Sequence, residues 1–340
     1  MYKVRLKIAM MLSAWAMQIS VPMLAQAQSP PRTPADMTSQ PAWPTKPVRL
    51  IVPFAPGGTT DIVARLLGQS LSDAWGQTVV VENRAGAGGN IGADLVAKSA
   101  PDGHTLLMTS GSVFTVNPYL YKSLPFDPIK DFMAITMVAS GPMLVSVHPS
   151  VKANNLKELI ALAKAEPGKI SFGSAGVGSQ VHMAAENLAF AAGVQLQHIP
   201  YRGESAALND LAGGQIQMMA GNLPAAISFA SQGKIRPLAV TGRERTKQLP
   251  NVPTAAESGL PGFENIGWFG LMAPAGTPTS VITKIHADTV KALAQTQTRA
   301  RLFVNGMDAV GSAPVAFSAA IAEESKRWQA VIKSRNLSAQ

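Results

Sequence analysis

Apolar runs of strand length alternate with segments of helical spacing along most of the chain. Val48–Val52 is apolar but for Arg49 and is stopped by Pro53. The turn over residues 54–60 leads into a helix from about Asp61, where Ile62, Val63, Leu66, Leu67 and Leu71 recur on one face. Residues 78–82 read as the next strand, 86–92 as a glycine-rich turn, 93–99 as a helix and 105–109 as a third strand. This βαβαβ order predicts a mainly parallel sheet with helices on both faces.

The pattern then repeats. Residues 143–147 read as a strand crossing to a second lobe, and 156–165 as a helix stopped by Pro167-Gly168. Strands follow at 170–172, 197–199, 216–220 and 236–240, with helices at about 180–191 and 205–212. A second crossing is expected at 268–273, and two amphipathic helices over 279–295 and 314–334 close the chain. The plan is α/β with two lobes, each a mainly parallel sheet flanked by helices. Lobe 1 takes residues 46–142 and 268–340, and lobe 2 takes 143–267.

The start of the chain has a different pattern. Lys3, Arg5 and Lys7 precede a short apolar run, and Ala25-Gln26-Ala27 supplies a small-residue cleavage site. Residues 1–27 are expected to be a signal peptide removed before Gln28, its apolar run too short to span a bilayer. Residues 28–45 carry five prolines and read as an extended tether. A protein exported to the periplasm is expected, with a monomer the expected state.

Composition narrows the chemistry. The chain has 340 residues, ample for two domains, and contains no Cys. Disulfides, thiolate metal sites and a cysteine nucleophile are thereby excluded. The net charge of +9 falls when the three N-terminal bases are set aside, and the remaining bases are scattered, so no nucleic-acid partner is expected. No G-x-S-x-G or G-x-x-x-x-G-K-[ST] motif occurs. His104, His148, His182, His198 and His286 form no close pair along the chain, so neither metal nor cofactor is expected.

The two lobes share one local arrangement, a strand, a small-residue turn and a helix, at residues 53–60 and again at 173–179. A helix N-terminus offers unpaired N–H groups and partial positive charge, and glycine lets a ligand approach the backbone. Two such termini facing each other would grip a small carboxylate.

The motifs in these turns resemble a known family. Val52-Pro53-Phe54-Ala55-Pro56-Gly57-Gly58-Thr59-Thr60-Asp61, Glu82-Asn83-Arg84-Ala85-Gly86, and Ala100-Pro101-Asp102-Gly103 are similar to the substrate-binding proteins of tripartite tricarboxylate transporters, the Bug receptors. Phe172-Gly173-Ser174-Ala175-Gly176-Val177-Gly178-Ser179, Pro200-Tyr201-Arg202-Gly203 and Trp268-Phe269-Gly270-Leu271 continue the resemblance in order.

The resemblance implies a two-lobed periplasmic binding protein of the Venus-flytrap, type II-like kind. It would capture a di- or tricarboxylate, or an aromatic carboxylate, by hinge closure, without catalysis, and pass it to a tripartite transporter permease or a sensor. A secreted hydrolase on a two-lobed scaffold and a non-transport envelope protein are the alternatives. Carried onto this chain, the ligand loops are Phe54, Ala55, Gly58, Thr59 and Thr60, and Ser174, Ala175, Gly178 and Ser179. Ser110 and Ser112 would line the cleft, and Asn222 ends a strand beside it. Asp61 reads chiefly as support for the helix start, and His182, Tyr201 and Arg202 are weaker candidates, with pairing inside the protein as their other reading. The chain departs from the family at Ala220 and Gly221, where members often carry an aromatic and an acid. If these positions face the cleft, a roomier and less negative pocket is expected; core repacking is the other reading.

Overall fold

The computed structural model describes residues 43–339; the expected signal peptide and residues 28–42 of the tether lie outside the described residues. Residues 43–45, which the sequence reading gives to the tether, pack on the fold. Trp43 meets Trp75 edge-on at 4.8 Å between ring centroids, and the Thr45 N–H donates to His104 Nε2 at 3.3 Å.

The chain opens with β1 (Val48–Val52), α1 (Thr59–Trp75), β2 (Val79–Asn83), α2 (Asn90–Ala97) and β3 (Thr105–Ser110). Two single-turn helices follow, α3 (Ser112–Thr115) and α4 (Asn117–Leu120), then the 16-residue strand β4 (Phe132–Val147). Next come α5 (Leu156–Ala165), β5 (Ser171–Ser174), α6 (Gln180–Ala192), β6 (Gln197–Pro200), α7 (Glu204–Ala212), β7 (Met218–Asn222), α8 (Leu223–Ser231) and β8 (Arg236–Val240). The chain closes with β9 (Ile266–Pro274), α9 (Thr279–Ala294), α10 (Thr296–Val304), β10 (Asp308–Ala309) and α11 (Pro314–Ser334).

The strands run in the order β2-β1-β3-β9-β4-β7-β5-β6, with β8 and β10 also pairing with β4. The outer pairs of each half are parallel: β1 with β2 and β3, and β5 with β6 and β7. The pairs at the centre, β3 with β9 and β4 with β9, β7 and β8, are antiparallel. β4 belongs to both halves: Phe132–Pro142 pairs with β9, and Met143–Val147 with β7 and β8. The expected second crossing is displaced, because β9 lies wholly against lobe 1 strands and meets β4 with Ile266 opposite Pro142.

The composition of β1 follows from burial on both faces. Val48, Leu50 and Val52 pack with Val63, Leu67 and Leu71 of α1, whereas Ile51 points into a cluster with Leu107, Phe114, Phe132 and Phe317. The second lobe has its own core, in which Phe172, Met218 and Ala220 pack with Val181, Ala184 and Leu188 of α6. A small cluster of Val116, Leu120, Met183, Trp328 and Ile332 ties α4, α6 and α11 together. Among the described residues no helix is long and apolar enough to cross a membrane.

Candidate functional site

The turn after β1 delivers the N-terminus of α1 to the centre of the molecule. Gly58 is the N-cap and contributes no side chain, so the first N–H groups of α1 are not satisfied by a cap. The turn is fixed from below by Asp61, which accepts the Gly57 N–H at 3.0 Å, Arg65 Nε at 2.9 Å and Asn83 Nδ2 at 3.0 Å. Asn83 Nδ2 also donates to the Phe54 carbonyl at 3.0 Å. Burial pushes the Asp61 carboxyl up, but the bonds from Arg65, Gly57 and Asn83 outweigh it and hold it below its ordinary value.

The turn after β5 does the same for α6. Ser179 is its N-cap and accepts the His182 N–H at 3.2 Å, while the Gly178 N–H donates to His182 Nδ1 at 3.1 Å. Among the described residues, the first two N–H groups of α6, from Gln180 and Val181, have no hydrogen-bond partner. Behind the turn, His182 stacks on His198, which bonds Ser174 Oγ at 2.6 Å. Burial, reinforced by the neighbouring His198, lowers the His182 imidazole to about 3, and burial lowers His198 to about 4.

The two helix N-termini converge on one buried cavity lined by Phe54, Gly58, Thr59, Thr60, Ser110, Ala175, Ser179, Gln180, Val181, Glu204 and Asn222. Its volume is about 20 Å³, room for about one water. The lobes are therefore closed on each other. Ser205 Oγ donates to the Pro56 carbonyl at 2.8 Å, and Tyr121 OH to the Val177 carbonyl at 2.8 Å. Gly88, at φ +63°, lies where a Cβ would strike the Val177 carbonyl. The glycine run over residues 86–92 thus serves turn and packing, with its middle pressed against the second glycine turn.

Gln180 separates this cavity from a wider one. Its side chain donates to Asn222 Oδ1 at 2.7 Å and accepts the Trp268 N–H at 3.2 Å. Beyond it lies a solvent-open space of about 520 Å³, lined by Ser112, Trp268, Glu324, Arg327 and Trp328 among others.

Glu204 is the dominant charge in the inner cavity. It begins α7, is 4% exposed, and spans the lobes: Oε2 accepts the Thr59 N–H at 3.0 Å, and Oε1 accepts Asn222 N–H at 2.6 Å and Nδ2 at 3.0 Å. Burial pushes its carboxyl up, opposed by the bonds from Thr59 and Asn222. The Thr59 hydroxyl, at full burial, has no partner.

Of the residues singled out in the sequence, Phe54, Gly58, Thr59, Thr60, Ser110, Ala175, Ser179 and Asn222 come together around the inner cavity. Others do not line it. Ala55 packs on Gly203, Ser112 faces the outer space, Ser174 is tied to His198, and Gly178 abuts Asn117 and Leu120. His182 caps the turn from behind, Tyr201 donates to Asp210 at 2.7 Å, and Arg202 lies exposed. Burial, then Asp210, drives the Tyr201 phenol up to about 12. Ala220 is a core residue. At Gly221 a Cβ would stand at ordinary contact distance from both Met219 Cε, 3.4 Å away, and Glu204 Oε1, 3.5 Å away. Neither position is among the residues lining the inner cavity, whose carboxylate comes from Glu204 on α7. Sequence reasoning missed Glu204 and Gln180, since an acid or amide in a first helical turn ordinarily reads as a solvated terminus. Among the described residues no cluster of three or more His, Asp or Glu is placed to hold a metal.

Two α/β halves sharing a central strand, with paired helix N-termini facing across a closed cleft, define a two-lobed periplasmic binding protein. The family model described as the tripartite tricarboxylate transporter family receptor matches residues 63–337. The chain belongs to this family of periplasmic receptors. It is 38% identical to Protein BugT of Bordetella pertussis over 86% of this chain and 90% of that one. Among solved structures, the R. palustris protein Rpa4515 with adipate is 36% identical, covers 87% of this chain and 99% of its own, and superposes with a TM-score of 0.85. MatC from Rhodopseudomonas palustris with bound malate is 33% identical, covers 85% of this chain and all of its own, with a TM-score of 0.82.

Proposed function

We propose that this chain is an extracytoplasmic solute receptor. It captures a small carboxylate between its lobes and delivers it to a membrane permease or a sensor, with no catalytic step. The observation that carries this reading is the convergence of α1 and α6, one from each half, on a single buried cavity. N–H groups at a helix start favour an anion, and a ligand touching both halves favours the closed form through its differential affinity. The relatives bound to adipate and malate support a carboxylate as the class of ligand.

The cavity holds about one water, so a ligand enters an open form in which lobe 1 (46–142 and 268–340) and lobe 2 (143–267) stand apart. Capture is then hinge bending where the chain crosses between the lobes, within β4 near Pro142 and just before β9. Export with cleavage before Gln28 completes the reading.

The test is a thermal-shift and calorimetric screen of protein beginning at Gln28, freed of bound ligand by unfolding and refolding. The panel holds C4–C6 dicarboxylates, citrate, amino acids and other aminocarboxylates, nicotinate and benzene carboxylates. A binder present at about 100 times its dissociation constant adds about 2.7 kcal/mol of stability. Saturable binding with a smaller radius of gyration in X-ray scattering is expected. Silence across the whole panel, from refolded protein, would overturn the reading.

A further inference from the structure

The two helix N-termini in the cleft are not equivalent. At α6, Gln180 and Val181 line the cavity, and their N–H groups have no partner among the described residues. At α1 the Thr59 N–H already holds a carboxylate, that of Glu204. One end of the cleft is therefore open to an anion, and the other presents an anion.

Glu204 is held in place by its own lobe. Both bonds to Oε1 come from Asn222, on the neighbouring strand end β7, so they persist when the lobes part. Only the Thr59 bond crosses the cleft. Opening thus releases Oε2, an acceptor in a space otherwise lined by apolar, hydroxyl and amide side chains. No Lys or Arg lines the cavity, and Glu204 makes no salt bridge among the described residues. A buried carboxylate without a cation is costly even when N–H groups satisfy it. Thr59 is part of the cavity wall, and its buried hydroxyl beside Glu204 has no partner at full hydrogen-bond geometry.

Resting on the receptor reading, we propose that Glu204 selects a ligand with one carboxylate and one cationic or N–H-donating end: an aminocarboxylate rather than a dicarboxylate. The ligand carboxylate takes the free N–H groups of Gln180 and Val181. Its amino group donates to Glu204 Oε2 and to the Thr59 hydroxyl, replacing the Thr59 N–H. A dicarboxylate placed in the same way sets its second carboxylate against Glu204, and like charges in a desolvated cleft are rejected.

The experiment measures affinities of chain-matched pairs by calorimetry: succinate against 3-aminopropanoate, and adipate against 5-aminopentanoate. Wild-type protein is expected to favour the amino member of at least one pair by tenfold or more. Glu204→Gln removes the charge while keeping the shape, and is expected to shrink that preference below threefold or invert it. Thr59→Val is a control expected to weaken the amino member without restoring the dicarboxylate. Thermal midpoints of both variants report whether they fold. Should Glu204→Gln fail to fold, the wild-type pairs alone decide. Dicarboxylates bound as tightly as their amino partners by wild-type protein, or a preference untouched by Glu204→Gln, would overturn the proposal while leaving the receptor reading intact. No binding by either class, across the wider panel, would overturn both.

Discussion

His182 and His198 lie with their rings 3.9 Å apart between centroids and 20° from parallel, directly behind the second glycine turn. Both stay neutral in the folded protein above about pH 4, since burial disfavours a charge on either ring and the neighbouring His198 adds to this for His182. In the unfolded chain both titrate near the ordinary histidine value of about 6.5. Between that value and about 4, the unfolded state binds more protons than the folded one, so stability rises with pH across this window. Urea midpoints are expected to fall steadily from pH 6.5 to pH 4, and His182→Gln with His198→Gln is expected to flatten that slope. An unchanged slope in the double variant would show that other groups drive it.

Closure depends on a contact at Gly203. Its backbone is extended and open to any residue, but a Cβ there would stand 2.6 Å from the Ala55 Cβ across the cleft. Gly203→Val is therefore expected to wedge the lobes apart. X-ray scattering should show a larger radius of gyration, and affinity for whichever carboxylate binds wild-type protein should drop by at least tenfold. The thermal midpoint of the unliganded protein should move little. A variant that unfolds, or that binds normally, would contradict this role.

Asp61 shapes the first loop from outside the cavity. Asp61→Asn weakens the bonds from Gly57 and Arg65 and is expected to cost about 1–3 kcal/mol of stability. Its carboxyl is held below the ordinary value, so the stability it lends is present above the usual carboxylate range and is lost as pH falls below it. Denaturation at pH 7 should separate the variant from wild type, and the difference should shrink as pH falls below the usual carboxylate range.

Gly270 lies under the ring of Phe317, where α11 packs on β9. Gly270→Ala forces that ring aside and is expected to cost about 1–3 kcal/mol. Combining it with Phe317→Leu should recover part of the loss, an interaction that a double-mutant cycle in urea measures.

Much of this fold is visible in the hydrophobic pattern. β1, α1, β2, β3, α5, α6 and α11 are found close to where periodicity places them, because each buries a regular face. The missed elements lack such a face. α3 and α4 are single turns, too short for a helical period, and the first part of β4 carries mixed Ala, Thr and Met with no alternation. α8 begins with a proline at its first turn and is mostly small residues, so it has weak periodic contrast. The site was legible in part for a similar reason. Glycine turns after apolar strands carry a local signature, whereas Glu204 gains its meaning only from Thr59, 145 positions away along the chain.

The strand order also sets a timetable. β3 waits for its second neighbour, β9, until the whole intervening lobe has been made. While the chain is still being made from its N-terminus, the β3 edge stands open, with all six of its residues destined for burial. Long-range antiparallel pairing of this kind is slow to form. The β3–β9 seam of this sheet thus closes late, and until then β3 is the strand edge most open to wrong pairing.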